Sequence, residues 1–367
     1  MAEGNSKDNW LTIIGAGLAG LSLCDELLSV FEAANKPLPG KITLLEQRET
    51  LNDNKTFSFF AQHPPIGIPY TRYEKWCFSV ADDVYPVKQS APTARPPQQT
   101  HTGLRYQYYR VRGSDAYADL SARVSKHPQV EIIMGQAVEN ELITSTLVVD
   151  TRPCKLADMR VKQCFIGVEV ELTSSIDEST AQLMSNMRMQ SGRFTFDYVL
   201  PLDESRALVE VTQFCVDPPE QSELRGYLQA TLQRLGVRTA PQREEMAILP
   251  MGLKEKFKQQ LASQQIRTAS GYGYLESKRW AKMNAELIVK GRAPRYQLHT
   301  PLLQWFDSKL LRVVETEPHK LPLVFMKMAE HMRPDDFASF MSSPNLSSLW
   351  QVMKAAPKTT FLRTLYA

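Results

Sequence analysis

The spacing of apolar and polar positions changes character along the chain. Trp10-Leu-Thr-Ile-Ile14 is a short apolar run rich in β-branched residues. Gly15, Ala16, Gly17, Leu18, Ala19 and Gly20 follow at once and open an amphipathic stretch that continues through Leu27 toward Asn35. That order predicts strand, tight turn and helix. Gly40-Lys-Ile-Thr-Leu-Leu45 predicts a second parallel strand. After Arg48 the pattern is irregular, with Pro64, Pro65 and Pro69, and the Pro/Gln-rich stretch from Pro92 to Gln99 reads as an exposed connection. Tyr106 to Val111 is an aromatic strand, Ser114 to Leu120 a helix start, and residues 130–134 and 146–150 are two more short strands. From about Cys164 the period becomes two. Residues 165–172, 192–200 and 207–214 alternate, and Pro201 to Arg206 is a hairpin connection, which together predict an antiparallel sheet. Beyond Arg279 the pattern is mostly helical.

The glycine turn carries the first chemistry. In such a turn the first glycine permits the bend, the second lets the backbone approach a pyrophosphate, and the third lets helix pack on strand, while the helix N-terminus faces the anion. Glu46, 26 residues past Gly20 at the end of the second strand, is placed to accept hydrogen bonds from a ribose diol. Gln47 and Arg48 complete a Glu-x-Arg strand ending.

Composition narrows the field. Hydrophobic residues make up 43% and charged residues 23% of 367 residues, the balance of a soluble globular chain, which excludes disordered, collagen-like and coiled-coil classes. The formal charge is +3 with the basic residues dispersed, so no nucleic-acid partner is expected. Five widely spaced cysteines and six scattered histidines indicate neither a disulfide framework nor a metal site and fit a reducing compartment. No apolar stretch approaches the roughly 20 residues that span a bilayer, and residues 2–9 are polar, so neither a membrane span nor a targeting peptide is expected.

Several blocks resemble the bacterial lycopene β-cyclase family over most of the chain. Asn54-Lys-Thr-Phe-Ser-Phe59 is similar to the family's Asn-His-Thr-Trp-Ser-Phe signature, with Lys55 and Phe57 in place of His and Trp. Gly192 to Leu202 followed by Arg206 to Thr212 resembles its aromatic strand, Leu-Pro-Leu turn and acidic strand, although Val211 stands where the family usually has a second acid. Arg243-Glu-Glu-Met-Ala-Ile-Leu-Pro250, Thr268-Ala-Ser-Gly-Tyr272 and the block from Phe306 to Phe337 also match in pattern. The Glu-x-Arg ending looks like that of FAD-binding two-dinucleotide-binding flavoproteins. The resemblance implies an α/β fold in which a Rossmann-type FAD-binding domain (residues 1–75, 100–160 and 245–300) carries an inserted antiparallel β substrate domain (76–99 and 161–244) and a helical C-terminal region (301–367). It also implies a reduced flavin that takes part without net redox change, NAD(P)H as its reductant, and Gly271 and Tyr272 near the flavin.

Within the period-two strand, Leu208, Glu210, Thr212 and Phe214 share one face, and Val209, Val211 and Gln213 the other. By periodicity alone Glu210 is a solvent-facing strand residue; under the resemblance it is the acid that protonates the end of a linear polyene. A carboxyl group held among apolar side chains remains a proton donor near neutrality. Phe194, Phe196, Tyr198 and Phe214 could offer ring faces to the resulting cation. Asp197 and Glu169 are weaker candidate acids, and Glu244 and Glu245 read as part of a loop before the flavin segment. The Met- and Phe-rich stretch from Leu303 to Ala355 reads as core or as a lipid-facing surface. The reading is therefore a cytoplasmic FAD-dependent polyene cyclase that contacts the inner membrane face peripherally. The alternatives are a flavin monooxygenase of the hydroxybenzoate-hydroxylase type and a polyene-binding flavoprotein without catalysis.

Overall fold

The computed structural model describes residues 9–51, 55–82, 84, 97–137, 143, 145–254, 265–296, 298–358 and 360. Asn54 and most of the Pro92 to Gln99 connection lie outside them. In chain order the elements are β1 (Asn9–Ile14), α1 (Leu18–Ala33), β2 (Lys41–Leu45), β3 (Thr56–Ala61), β4 (Thr71–Tyr73), β5 (Lys75–Val80), β6 (Gln98–Thr102), β7 (Gln107–Arg112) and α2 (Gly113–Val124). They continue with β8 (Val130–Ile133), β9 (Leu147–Asp150), β10 (Met159–Glu171), β11 (Thr180–Gln190), β12 (Arg193–Pro201), β13 (Arg206–Cys215), α3 (Gln221–Leu235) and β14 (Arg243–Leu253). The C-terminal part holds α4 (Tyr274–Val289), α5 (Pro301–Thr316), α6 (Leu321–His331), α7 (Pro334–Ser342) and α8 (Leu346–Ala355).

Two sheets with different logic set up the site, and a small third one, ordered β3-β7-β4, stands beside them. The first sheet is parallel, ordered β8-β2-β1-β9. Its strands are apolar runs because helices cover it: α1 packs against α2 and α4, and Leu11, Ile13, Leu21, Leu23 and Trp280 are fully buried in the shared core. Burying side chains of this size contributes about 1.5–3 kcal/mol each.

The second sheet is ordered β14-β10-β13-β12-β11-β5-β6. It is antiparallel except where β11 runs parallel to β5. One face, with Val199, Val209 and Val211, packs on Leu224 and Leu228 of α3. The other face, with Phe194, Phe196, Leu208 and Phe214, packs on α5 and α6 through Leu311, Phe325 and Met328. Alternation along β13 thus separates two buried layers, which is why nearly the whole strand is out of solvent.

The expected divisions at 75/76, 99/100, 160/161 and 244/245 each fall inside a strand of the large sheet, β5, β6, β10 and β14 respectively. β14 pairs with β10 along its length, so residues 245–253 belong to the large sheet. Residues 100–102 pair with β5 and also belong there. Glu244 and Glu245 are therefore strand residues, not loop residues. β3, β4, β5, β6 and β11 arise where no strand was expected, so Gln98 and Gln99 are paired with β5 and are not part of a connection. The C-terminal helices follow their local signals: Thr300 caps α5 ahead of Pro301, accepting from Leu303 N at 3.3 Å, and Asn345 and Ser348 form a capping box on α8. All five cysteines are buried free thiols.

Candidate functional site

A cavity of about 530 Å³ lies between the inner face of the large sheet, the 266–274 loop and the C-terminal helices. Its walls are mainly apolar and aromatic: Phe165, Phe196 and Phe214 from the sheet, Phe57 from β3, and Phe306, Phe325, Phe337 and Phe340 from the helices. Phe196, Tyr198 and Phe214 face it as expected, whereas Phe194 sits behind the wall, stacked on Phe325 with ring centroids 5.4 Å apart. The family-like segments meet here, since Lys55 to Ser58 and Ile266 to Tyr274 both contribute to the lining.

Glu210 points into this cavity and is 8% exposed, so the solvent-facing reading of it is set aside. Register explains its setting. Tyr198, Glu210, Gly167 and Glu245 form one cross-strand row over β12, β13, β10 and β14. A Cβ on Gly167 would run into Cγ of Glu210, so only glycine leaves room for that side chain to lie across β10. Burial pushes the Glu210 carboxyl well above its ordinary range, the charge and hydrogen bond of Glu245 push it further, and Arg243 and Arg110 oppose this. Beside it, the hydroxyls of Tyr198 and Tyr108 are 2.6 Å apart and Tyr272 donates to Tyr108 at 3.2 Å, a buried phenol cluster whose members are all held above the usual tyrosine range by desolvation first.

Of the other candidate acids, Asp197 faces away from the cavity. It accepts from Arg188 and Arg234 at 2.8 Å each, from Asn186 at 2.8 Å and from Thr231 at 3.0 Å, which makes it a buried structural anchor for α3. Glu169 is tied to Arg110 at 2.8 Å, to Arg243 at 2.7 Å and to Arg112 at 3.4 Å. Glu244 pairs with Arg225 at the surface. Val211 lies on the α3 side, so the second carboxyl beside Glu210 comes from Glu245 instead.

Gly271 and Tyr272 also line the cavity, in a loop that the fully buried Arg267 holds down. Arg267 pairs with Asp307 of α5 at 3.3 Å, donates to the carbonyl of Phe340 and lies over the Phe340 ring. The loop is thereby fastened to α5 and α7.

The remaining expected residues lie elsewhere: neither Gly15 to Gly20 nor Glu46 to Arg48 is among the cavity's lining. Their turn has the features a dinucleotide needs. Gly15 takes φ +96°, a side chain on Gly20 would strike the Gly15 carbonyl, and one on Gly17 would meet nothing within 4 Å, so open space stands before the N-terminus of α1. That helix end has no capping side chain and no acid in its first turn, as suits an anion site. Glu46 accepts from Ala16 N at 2.9 Å and from Arg48 N at 3.0 Å and Nε at 2.9 Å. Burial would raise its carboxyl, but the Arg48 and Ala16 hydrogen bonds outweigh it and hold the group below its ordinary range, charged and ready to accept. Gln47 is exposed. The residues fit the pyrophosphate and ribose of such a group.

Sequence reasoning missed Gly167, Arg243, Glu245 and the Arg267–Asp307 pair as parts of the site. One signal was present: Arg243, Glu245, Ala247 and Leu249 alternate along β14. It was obscured because the intervening Met246 and Ile248 are also apolar, although 38% and 39% exposed.

A parallel dinucleotide-type sheet joined to a large mixed sheet with a cavity between sheet and helices defines an α/β flavoprotein-type fold. Solved structures share it. The geranylgeranyl bacteriochlorophyll reductase-like protein of Thermoplasma acidophilum superposes with a TM-score of 0.56 at 11% identity, covering 97% of this chain and 98% of that one. The flavin-dependent brominase Bmp2 gives 0.53 at 10% identity and 98% of each chain. A variant of the halogenase PltM in complex with FAD gives 0.50 at 10% identity, covering 95% of this chain and 82% of that one. The chain itself belongs to the lycopene cyclase family: the family model described as lycopene cyclase protein matches residues 11–315. No curated protein matches it in sequence.

Proposed function

We propose that the chain binds FAD through the Gly15 to Gly20 turn and Glu46, and closes a ring at the end of a linear carotenoid or related polyene by proton addition, without net redox change. The observation that carries this reading is Glu210: a carboxyl kept protonated by burial in an apolar, aromatic cavity. Ring closure needs a proton on an isolated alkene carbon, a chain folded so that the cation meets the next double bond, and loss of a ring proton. Glu210 is the donor. The Phe196 and Phe214 rings exclude water and present π faces to positive charge. Gly271 and Tyr272 would border the isoalloxazine, and a bound reduced flavin, supplied with electrons by NAD(P)H, would favour the cation electrostatically.

The substrate's apolar length implies delivery from a bilayer, and the chain's C-terminal helices offer a matching surface. Trp305 and Met353 line the cavity and are 46% and 43% exposed, Trp350 stands on the same helix as Met353, and Lys309 and Lys354 lie over the Trp305 and Trp350 rings. Exposed Trp beside Lys suits a headgroup layer. No helix among the described residues is long and apolar enough to cross a membrane, and the proposed contact is peripheral.

The test is product analysis with FAD-loaded protein, NAD(P)H and linear carotenes. The reading requires a product of unchanged mass, formed without oxygen and lost in Glu210→Gln while FAD stays bound. A product heavier by an oxygen atom, with NAD(P)H consumed in step, would establish a monooxygenase instead; holoprotein that binds polyenes but turns none over would be a carrier.

A further inference from the structure

We infer that Glu210 and Glu245 act as one acid pair, sharing a single proton across Gly167, with Arg243 fixing Glu245 as the charged partner. The chemistry assigned to the pair rests on the cyclase reading; the pair itself rests on the strand register, the gap at Gly167 and the contact between the two carboxyls.

Gly167 stands between both glutamates in register, and the two side chains meet over it within hydrogen-bonding reach. Two carboxyl groups can share such a bond only when one proton lies between them. Glu245 is 6% exposed. Its Oε2 accepts from Arg243 at 3.0 Å, while its Oε1 is buried with no N–H or hydroxyl donor. An acceptor buried without a donor is costly, and the Glu210 proton is what the site offers it. The guanidinium of Arg243 decides the asymmetry, binding Glu245 as a carboxylate and leaving the proton with Glu210, the member that faces the cavity.

The other titratable and charged groups around the pair are Tyr198 from β12, Tyr108 and Arg110 from β7, Tyr272 from the loop, Glu169 from β10 and Lys55 ahead of β3. Arg110 and Arg243 both hold Glu169, so the row carries positive charge beside the pair. In the reaction the Glu210 O–H bond breaks and an alkene π pair forms the new C–H bond. The next alkene's π pair closes the ring. A neighbouring C–H bond then breaks, leaving its electrons as the ring double bond, and that proton returns to the pair. One proton enters and one leaves, and no electron is gained or lost. With the proton gone the two carboxylates repel each other, which makes the pair an avid base for the closing step. Glu245 is thus a positioning residue that acts through Glu210.

The experiment compares FAD-loaded wild type with Glu245→Gln and Gly167→Ala, using two readouts: the pH profile of kcat on a linear carotene, and the infrared C=O band of the protonated carboxyl that Glu210→Gln removes. Glu245→Gln replaces the neighbouring charge with an amide, so the alkaline limb and the band are expected to move down by about one pH unit or more, with the flavin spectrum unchanged. Gly167→Ala, which forces the side chains apart, is expected to move both in the same direction. Limbs and band that coincide with wild type in both variants overturn the pair even if cyclisation is observed. A wild type that turns over no carotene, yet shows a band titrating above neutrality that falls in Glu245→Gln, upholds the pair and removes the cyclase reading.

Discussion

Glu46, just past the end of β2, and Glu210, on β13, are both glutamates nearly out of solvent, and they behave in opposite ways. At the glycine turn the Glu46 carboxylate is surrounded by donors, Arg48 and the Ala16 amide, which outweigh desolvation and keep it charged. In the cavity Glu210 meets aromatic walls and another carboxyl, so desolvation and like charge act together and keep it neutral. Burial alone does not decide what a carboxyl does; the count of donors around it does. Under the proposed function, one region holds a polar ligand through an acceptor and the other hands over a proton.

The comparison breaks most visibly at Glu210. Glu210→Gln preserves shape but removes the proton, so turnover is expected to fall by about 10²- to 10⁴-fold, measured as product formed per bound flavin. Next in size is the fastening of the cavity loop: Asp307→Ala leaves the Arg267 guanidinium buried without its partner and is expected to cost about 3–5 kcal/mol, read by denaturant unfolding. Glu46→Ala, by contrast, is expected to weaken FAD binding by about 10- to 100-fold, as loss of a hydrogen-bonding carboxylate does, while apo-protein retains the infrared carboxyl band of Glu210.

Stability against pH separates the two glutamates more finely. A carboxyl raised by folding, as at Glu210, contributes stability fully below the unfolded pKa that is lost as pH rises toward its folded value. Glu210→Gln is therefore expected to gain on wild type as pH rises above about 4.5, the ordinary glutamate value. Glu46 is depressed, so its contribution is present at neutrality and lost as pH falls; Glu46→Gln is expected to be the less stable at pH 7, with the gap closing in acid. Urea titrations from about pH 2.5 to 8 check both signs. The smallest effect is at the rim: Trp350→Ala is expected to reduce binding to anionic liposomes while leaving turnover of detergent-dispersed substrate nearly unchanged.

The same contrast explains what could be read from the chain. The turn from Gly15 to Gly20 and its strands are contiguous, and each residue's job is local, so they were legible. Glu210 could be placed on a strand face but not assigned to cavity or solvent, because both faces of β13 are buried and alternation alone cannot rank them. Glu245 was unreadable as its neighbour: the two lie 35 residues apart and meet only through the β10 register and the missing side chain of Gly167. β5 and β11 escaped because their pairing is parallel and bulged, so no simple hairpin pattern marks them.

The central claim is that a protein carboxyl, not an oxidant, starts the reaction. Cyclisation by FAD-loaded protein in D₂O, without oxygen and followed by mass spectrometry, tests it most directly. The account predicts a ring-closed product carrying one deuterium for each ring formed, an isomer of the substrate when made in H₂O, and absent with Glu210→Gln. A product carrying an added oxygen, or one heavier by two hydrogens when made in H₂O, would contradict it.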